Sequence, residues 1–307
     1  MNILITGGCG FIGTNLISVM QQDKKYNIKV IDNESLGKSE NIKKYDVNFV
    51  KADILDYNTI IRETKNIDTI IHLAADTRVI DSIRDPEKNF QTNVIGTMNI
   101  LMAMKKNGIQ KIINASTGGA ILGEVTPPVN ENMLPTPSSP YGASKLAVEG
   151  YLCSFASSYG IKACSLRFSN VYGPNSWHKN SVVSTFIRKI ITRNTLDVYG
   201  DGEQLRDYVY VIDLCNGILQ AINSDTSGVY QLGTGFPTSI NKLIELISNT
   251  AGNKYDIHVN YHPYRDGEIH NTWCDIKKAK DAFGYHPLTS LPVGIQNTWD
   301  WFCQNSK

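Results

Sequence analysis

Tyr141 and Lys145 stand four residues apart in the run Tyr141-Gly142-Ala143-Ser144-Lys145, directly after Pro140. At that spacing two side chains share one face of a helix, a turn apart. An ammonium beside a phenol stabilises the phenolate and draws its pKa from about 10 toward neutrality. The phenol then works as a general acid or base for interconverting a hydroxyl and a carbonyl. Upstream, Ser116 and Thr117 follow the apolar run 111–115. A hydroxyl there can hydrogen-bond the reacting oxygen and share its proton with Tyr141. Both hydroxyls stand as candidates. A Tyr–Lys pair also occurs by chance on solvated helix faces, so its meaning depends on its company.

That company begins at the N-terminus, MNILITGGCGFIG. The short apolar run Ile3, Leu4, Ile5 ends at Thr6, and Gly7, Gly10 and Gly13 follow at intervals of three. A helical pattern over 11–20 starts at once. A buried strand feeding a glycine turn that opens a helix binds phosphate: the glycines let the backbone approach a pyrophosphate, and free N–H groups such as those of Phe11 and Ile12 hold its charge. A second apolar run, 28–31, ends in Asp32, about 20 residues beyond the glycines, where an acid binds the adenosine ribose. An ionised Asp accepts from the ribose hydroxyls and repels a 2′-phosphate, which favours NAD over NADP. Asn33 follows it. Asp53 and Ile54 close a third strand and are placed for the adenine, with Asp53 accepting from its amino group. In His72-Leu73-Ala74-Ala75, the small residues Ala74 and Ala75, with Leu73, admit the adenosine side. His72 itself reads as a satisfied strand-end residue. Lys145 is also placed to bond the nicotinamide ribose, and Asn93 to support the site through a backbone or water contact.

The elements that must carry these residues alternate. Candidate strands are 2–5, 28–32, 47–51, 69–72, 111–115 and 162–167, with helical patterns at 59–65 and 88–106 between them. Apolar strands without clean polar alternation, joined by helices, predict an α/β fold: a Rossmann-type, doubly wound parallel sheet covered on both faces. The five prolines of 125–140 mark a surface loop. Residues 1–173 form the expected dinucleotide-binding domain, with a later strand and helix contribution around 205–225. Residues 174–307 form a smaller C-terminal substrate-binding lobe over the sheet's C-terminal edge. A length of 307 residues suits this size. With a net charge of +1 and no dense basic tract, nucleic acid and anionic membrane are not expected partners. No apolar run approaches the roughly 18 residues that span a bilayer. The chain enters a core strand at once, which leaves no room for a signal peptide. Six cysteines without CxxC or metal-ligand spacing suit free thiols in a cytoplasmic protein with no metal. Cys9 reads as a small neutral filler.

With the glycine loop, Asp32, HLAA, Ser116/Thr117 and YxxxK in this order, the chain resembles the extended short-chain dehydrogenases/reductases. Within them it resembles the NAD-dependent nucleotide-sugar epimerase/dehydratase branch over essentially its full length. Thr6 to Gly13 match the branch's TGxxGxxG, and YGASK its YxxxK. Leu166 to Pro174 match RxxNVYGP, which implies that Asn170 contacts the nucleotide-sugar diphosphate. The segment 200–208, GDGEQLRDY, resembles GDGxQxRD and implies that Arg206 pairs with that diphosphate. The segment 265–268, RDGE, implies a second phosphate ligand in Arg265 and a ribose contact in Glu268. A diphosphate offers paired oxygens that suit guanidinium forks. Relatives often dimerise through a four-helix interface, for which 89–106 and 147–159 are available.

The resemblance also implies the first step: Tyr takes a proton from a sugar hydroxyl as NAD+ takes hydride, giving a 4-keto sugar. The 4,6-dehydratases follow the catalytic Thr with Asp-Glu, and the decarboxylases place a Glu there. This chain has Gly118-Gly119, so 4-epimerisation by rotation of the ketone is the simplest expectation. A dehydratase or ketoreductase is the alternative, with a non-catalytic NAD-binding regulator more remote. Where the branch commonly reads VYG this chain has Ile121-Leu122-Gly123, which lacks a pocket phenol. The segment also runs one residue longer, so Ser116 and Thr117 are not separated, although Thr117 is favoured. Seven residues after Arg265, glucose/galactose-restricted epimerases carry a bulky Tyr. Here Thr272 leaves room for an N-acetyl group, which predicts acceptance of UDP-GlcNAc and UDP-GalNAc.

Overall fold

A computed structural model of the chain describes residues 1–264 and 269–305. Six strands fall within two residues of their expected bounds: β1 (Asn2–Thr6), β2 (Asn27–Asp32), β3 (Asn48–Lys51), β4 (Thr69–His72), β5 (Lys111–Thr117) and β6 (Lys162–Phe168). Successive residues of these strands feed two different cores, which is why the runs are continuously apolar. Ile3 and Ile5 join one core with Ile71 and Ile113, while Leu4, Ile70 and Ile112 join the other. The first core is covered by helices Phe11–Met20 and Val211–Asn223, the second by Gly96–Asn107 and Pro140–Tyr159.

Past Phe168 the chain adds β7 (Asn170–Tyr172), β8 (Leu196–Tyr199), β9 (Leu205–Tyr210), β10 (Gly228–Leu232), β11 (Pro237–Ser239) and β12 (Val259–His262). The main sheet has seven strands in the order β10-β6-β5-β4-β1-β2-β3, all parallel. The order reverses between β1 and β4, and the crevice at such a reversal is where doubly wound folds seat a ligand.

The late contribution to the sheet differs from the expected 205–225. Its helix is Val211–Asn223, but its strand is β10, beyond that span, while β9 belongs to a separate three-stranded sheet β11-β9-β7. The smaller lobe has its own core around Phe186, Leu243 and Trp299, on helices Val182–Ile191, Ile240–Ala251 and Leu291–Asn305. Two helices start before their expected bounds because their caps lie upstream of the periodic residues. Asp56 accepts from Thr59 N to open Tyr57–Glu63, and Asp85 accepts from Lys88 N to open Pro86–Phe90. The expected helix 88–106 also carries a wide π-type turn at Gln91–Ile95 before Gly96–Asn107. Among the described residues no helix is long and apolar enough to cross a membrane.

Candidate active site

The glycine loop leaves the end of β1 at the sheet's reversal point. Gly7 has φ +72°, and a Cβ on it would lie 2.7 Å from Ala74 N, so only glycine allows the loop to press against Leu73 and Ala74. At Gly13 a Cβ would meet Gly8 Cα at 2.5 Å, which sets how closely the helix follows the loop. No side chain caps helix Phe11–Met20 at Gly10, which leaves the first-turn N–H groups of Phe11 and Ile12 for an anion. The cradle therefore fits a pyrophosphate.

Asp32 braces this loop from the end of β2. Its carboxylate accepts Cys9 N at 3.0 Å and Glu34 N at 2.7 Å, and each oxygen keeps a lone pair for a further donor. Burial holds its pKa above the usual carboxylate value, and the two N–H donors oppose that. Asn33 donates to Asp53 Oδ2 at 2.8 Å, so the ends of β2 and β3 meet as one polar patch. Ile54 is buried against Gly96, where a Cβ would lie 2.4 Å from its Cδ1, so its side chain is part of the core. Cys9 is fully buried, with its thiol pushed up to about 12 by that burial first and by Asp32 second.

At the end of β4, His72 is enclosed between Thr6 Oγ1, 2.7 Å from Nδ1, and Thr97 Oγ1, 2.9 Å from Nε2. Thr97 gives its own proton to Asn93 O, so Nε2 must donate and Nδ1 must accept from Thr6. A neutral ring fits this arrangement, and burial, followed by the charge of Lys145, pulls its pKa down to about 3. The chain of bonds ends at Asn93 in the π-type turn. Asn93 accepts Asp76 N at 2.8 Å and donates to Asp76 O and Ser144 Oγ, both at 2.9 Å. Ser144 in turn donates to Tyr141 O at 2.8 Å. Asn93 thus fixes the loop after β4 against the helix that carries the Tyr–Lys pair.

That helix, Pro140–Tyr159, begins with Ser139 Oγ accepting Gly142 N and with Pro140 in its first turn. Gly142 is required because a Cβ there would lie 2.0 Å from Ala120 O. The structure separates the two hydroxyls at the end of β5. Ser116 lies buried beneath the helix and donates to Glu149 Oε1 at 2.6 Å, turned away from the expected substrate contact. Thr117, at the strand's last position, stands beside the Tyr141 phenol and lowers its pKa.

The electrostatics depart from the sequence expectation. Burial pushes Tyr141 up to about 12, with Thr117 opposing and Asp76 adding to the rise. Lys145 Nζ is turned to the strand, donating to Ala115 O at 2.9 Å. Lys145 is itself pulled down to about 8 by burial, against the favourable charge of Glu149.

In the second half of the chain, Thr272 donates its N–H to Leu205 O at 3.0 Å and bridges Arg206. Its Oγ1 would lie 3.4 Å from a Cβ on Gly119, so Thr272 faces the turn just past Thr117. Arg206 binds the carbonyls of Leu205, His270 and Ile269 at 2.9, 2.7 and 2.6 Å. Asn170 is exposed, with Nδ2 donating to Asp207 O at 3.3 Å. Leu122 is fully buried with Ile121, Val129 and Cys274, so the missing phenol is replaced by core. Arg265 and Glu268 lie outside the described residues. Among the described residues no His, Cys, Asp and Glu cluster could hold a metal ion.

Sequence reading missed Asp76, Ser144, Glu149 and Arg167. Ser144 and Glu149 carried a signal, because they fall three and eight residues after Tyr141 on its helix face.

The family described as NAD dependent epimerase/dehydratase matches residues 3–233. The UDP-glucose 4-epimerase of Thermotoga maritima, solved with UDP-glucose, is 36% identical with a TM-score of 0.95, and 100% of both chains align. The UDP-N-acetylglucosamine 4-epimerase of Methanobrevibacter ruminantium, solved with UDP-N-acetylmuramic acid, is 32% identical with a TM-score of 0.92, over 99% of this chain and 98% of that one. The UDP-glucose 4-epimerase of Thermus thermophilus, in complex with NAD, is 34% identical with a TM-score of 0.92, over 99% and 100%.

Proposed function

The chain belongs to the NAD-dependent epimerase/dehydratase family, and we propose that within it the chain is a 4-epimerase of a UDP-hexose or UDP-N-acetylhexosamine. The observation that carries this reading is the placement of Thr117, at the end of β5, beside the phenol whose pKa it lowers, followed in the chain by two glycines in place of a second acid. The glycine cradle, the uncapped helix and Asp32 support NAD as the cofactor. The NAD-bound relative and the two relatives solved with UDP-sugars support the substrate class.

NAD, held by the Gly7–Gly13 loop and Asp32, would supply a reversible hydride acceptor at C4 of the sugar. Tyr141 Oη takes the proton of the sugar's 4-hydroxyl, and Thr117 Oγ1 steadies that oxygen as the ketone forms. Lys145 holds positive charge beneath the pair and bonds the nicotinamide ribose. Arg206, Asn170 and Arg265 hold the diphosphate, and Glu268 the ribose, so that the sugar can turn between the two half-reactions. With Gly118 and Gly119 directly after Thr117, neither residue can draw a C5 proton. Once the sugar has turned, hydride would return to the opposite face of C4 while Tyr141 gives its proton back to O4. Thr272, facing Gly119, leaves space for an N-acetyl group.

The chain forms a homodimer through 89–106 and 147–159. Supporting this, Phe90, Met102, Tyr151 and Tyr159 on those helices are exposed large apolar side chains. Light scattering on the eluted protein tests it, and a monomer mass refutes it. Six free thiols support a reducing, cytoplasmic setting.

The deciding experiment incubates the purified protein with UDP-GlcNAc and, separately, UDP-glucose, without added cofactor and then with NAD. Products are read by chromatography and mass spectrometry. A product of unchanged mass at the retention of the 4-epimer is expected. A product lighter by one water identifies a dehydratase instead, and no change in either sugar overturns the reading.

A further inference from the structure

We propose that Glu149 is the positioning residue of this site: it locks the Tyr141–Lys145 helix to the strand end that carries Thr117, and it is the counter-charge of Lys145. The geometry is a three-point grip. Tyr141, Lys145 and Glu149 follow at intervals of four along helix Pro140–Tyr159, on one face. They hold three consecutive residues of β5: Tyr141 meets Thr117, Lys145 Nζ donates to Ala115 O, and Glu149 accepts from Ser116 Oγ. The carboxylate reaches a second strand as well. Arg167, opposite Ser116 on β6, gives Nε to Oε1 at 2.9 Å and Nη2 to Oε2 at 2.7 Å.

Glu149, Arg167 and Lys145 are 7%, 3% and 5% exposed, so water screens none of them. One anion serves two cations. Arg167 depends on it, since the remaining Nη1 is buried without a hydrogen-bond partner, as is the amide of Gln231 at the paired position of β10. The other groups facing the pair do not replace it. His72 is held neutral between two hydroxyls, and Asp76 acts on Tyr141. Burial lowers Lys145, and Glu149 is the charge that opposes it. Loss of that charge therefore unloads the ammonium that the Tyr141 phenolate needs. The consequence for catalysis rests on the epimerase reading, but the coupling itself does not.

The test follows Lys145 directly. In NAD-loaded protein carrying 13Cε-lysine, the Lys145 signal, assigned by its loss in K145R, is titrated in wild type, E149Q, R167Q and R167K. The midpoint is expected to fall by about one unit or more in E149Q, the effect of losing a close opposite charge. It is expected to rise in R167Q, where Glu149 serves Lys145 alone, and to stay in R167K. An unmoved midpoint in E149Q, or a fall in both E149Q and R167Q, overturns the proposal, because loss of packing alone moves both variants the same way. If E149Q does not fold, R167Q against R167K decides. A wild-type protein that converts no nucleotide sugar defeats the epimerase reading and leaves the titration to judge this one.

Discussion

Removing each hydroxyl at the end of β5 separates chemistry from support. Thr117→Val keeps the shape of the side chain and deletes the donor that meets the Tyr141 phenol. A hydrogen bond to a group that becomes charged contributes about 1.5–3 kcal/mol. At about 1.4 kcal/mol per factor of ten, kcat should fall roughly 10- to 100-fold. Thr117 also lowers the Tyr141 pKa, so its loss raises it, and the acid limb of the pH–rate profile should move to higher pH. Ser116→Ala removes a different bond. Glu149 keeps both contacts to Arg167 but loses the 2.6 Å hydroxyl. That loss should lower stability by about 1–3 kcal/mol, read as a fall of several degrees in Tm, with kcat within about threefold and the pH limb in place. The assay is steady-state epimerisation across pH 6–10 beside thermal unfolding of both variants. A larger kcat loss in Ser116→Ala than in Thr117→Val, with the acid limb moving only in the former, would reverse the assignment.

Three further changes probe the cradle, the buried ring and the sugar pocket. Gly13→Ala places a Cβ 2.5 Å from Gly8 Cα. Overpacking of this kind costs about 1–3 kcal/mol, so NAD affinity by calorimetry should fall at least about tenfold, and unchanged affinity contradicts the cradle. His72 has a folded pKa of about 3, below its unfolded value of about 6.5. The unfolded chain thus binds the proton first, and stability is lost as pH falls from about 6.5 toward 3, at up to about 1.4 kcal/mol per unit. His72→Gln should remove about 2 kcal/mol of the difference between denaturant unfolding at pH 7 and pH 5, and an equal slope in both proteins refutes it. Thr272→Tyr sets a ring against Gly119 and should cut kcat/KM for UDP-GlcNAc at least about tenfold more than for UDP-glucose. Equal losses on the two sugars would remove Thr272 from the pocket.

The fold was legible where local pattern and global position agree. Ile3, Leu4 and Ile5 read as a buried strand because each fills one of two cores, and the glycines that follow fit a turn whose backbone can approach a phosphate. β10 was not legible. Its five residues sit at the sheet edge after an excursion through the smaller lobe, and nothing within it says which sheet it joins. The helix starts at Asp56 and Asp85 were readable as caps but lay outside the apolar period that set the expected bounds. The Tyr141 pKa misled for a different reason. Spacing places Lys145 on the right helix face, but it cannot show that Nζ turns to Ala115 O or that burial outweighs charge at the phenol.

Chemistry and specificity are written at different ranges in this chain, and that decides which of them a sequence discloses. Thr117, Tyr141 and Lys145 lie within one strand–loop–helix unit, so their types and order, read with the glycine loop upstream, point to a proton transfer. The residue proposed to face the sugar, Thr272, reaches Gly119 only after the chain has built a second lobe, and it arrives through a bridge to Arg206 and the carbonyl of Leu205. Its meaning comes from that return path. The same holds for Glu149 and Arg167, whose pairing follows from the register of β5 against β6. Changes at 119 or 272 should therefore retune the sugar while leaving proton transfer intact, whereas changes at 149 or 167 should disturb proton transfer for every sugar alike.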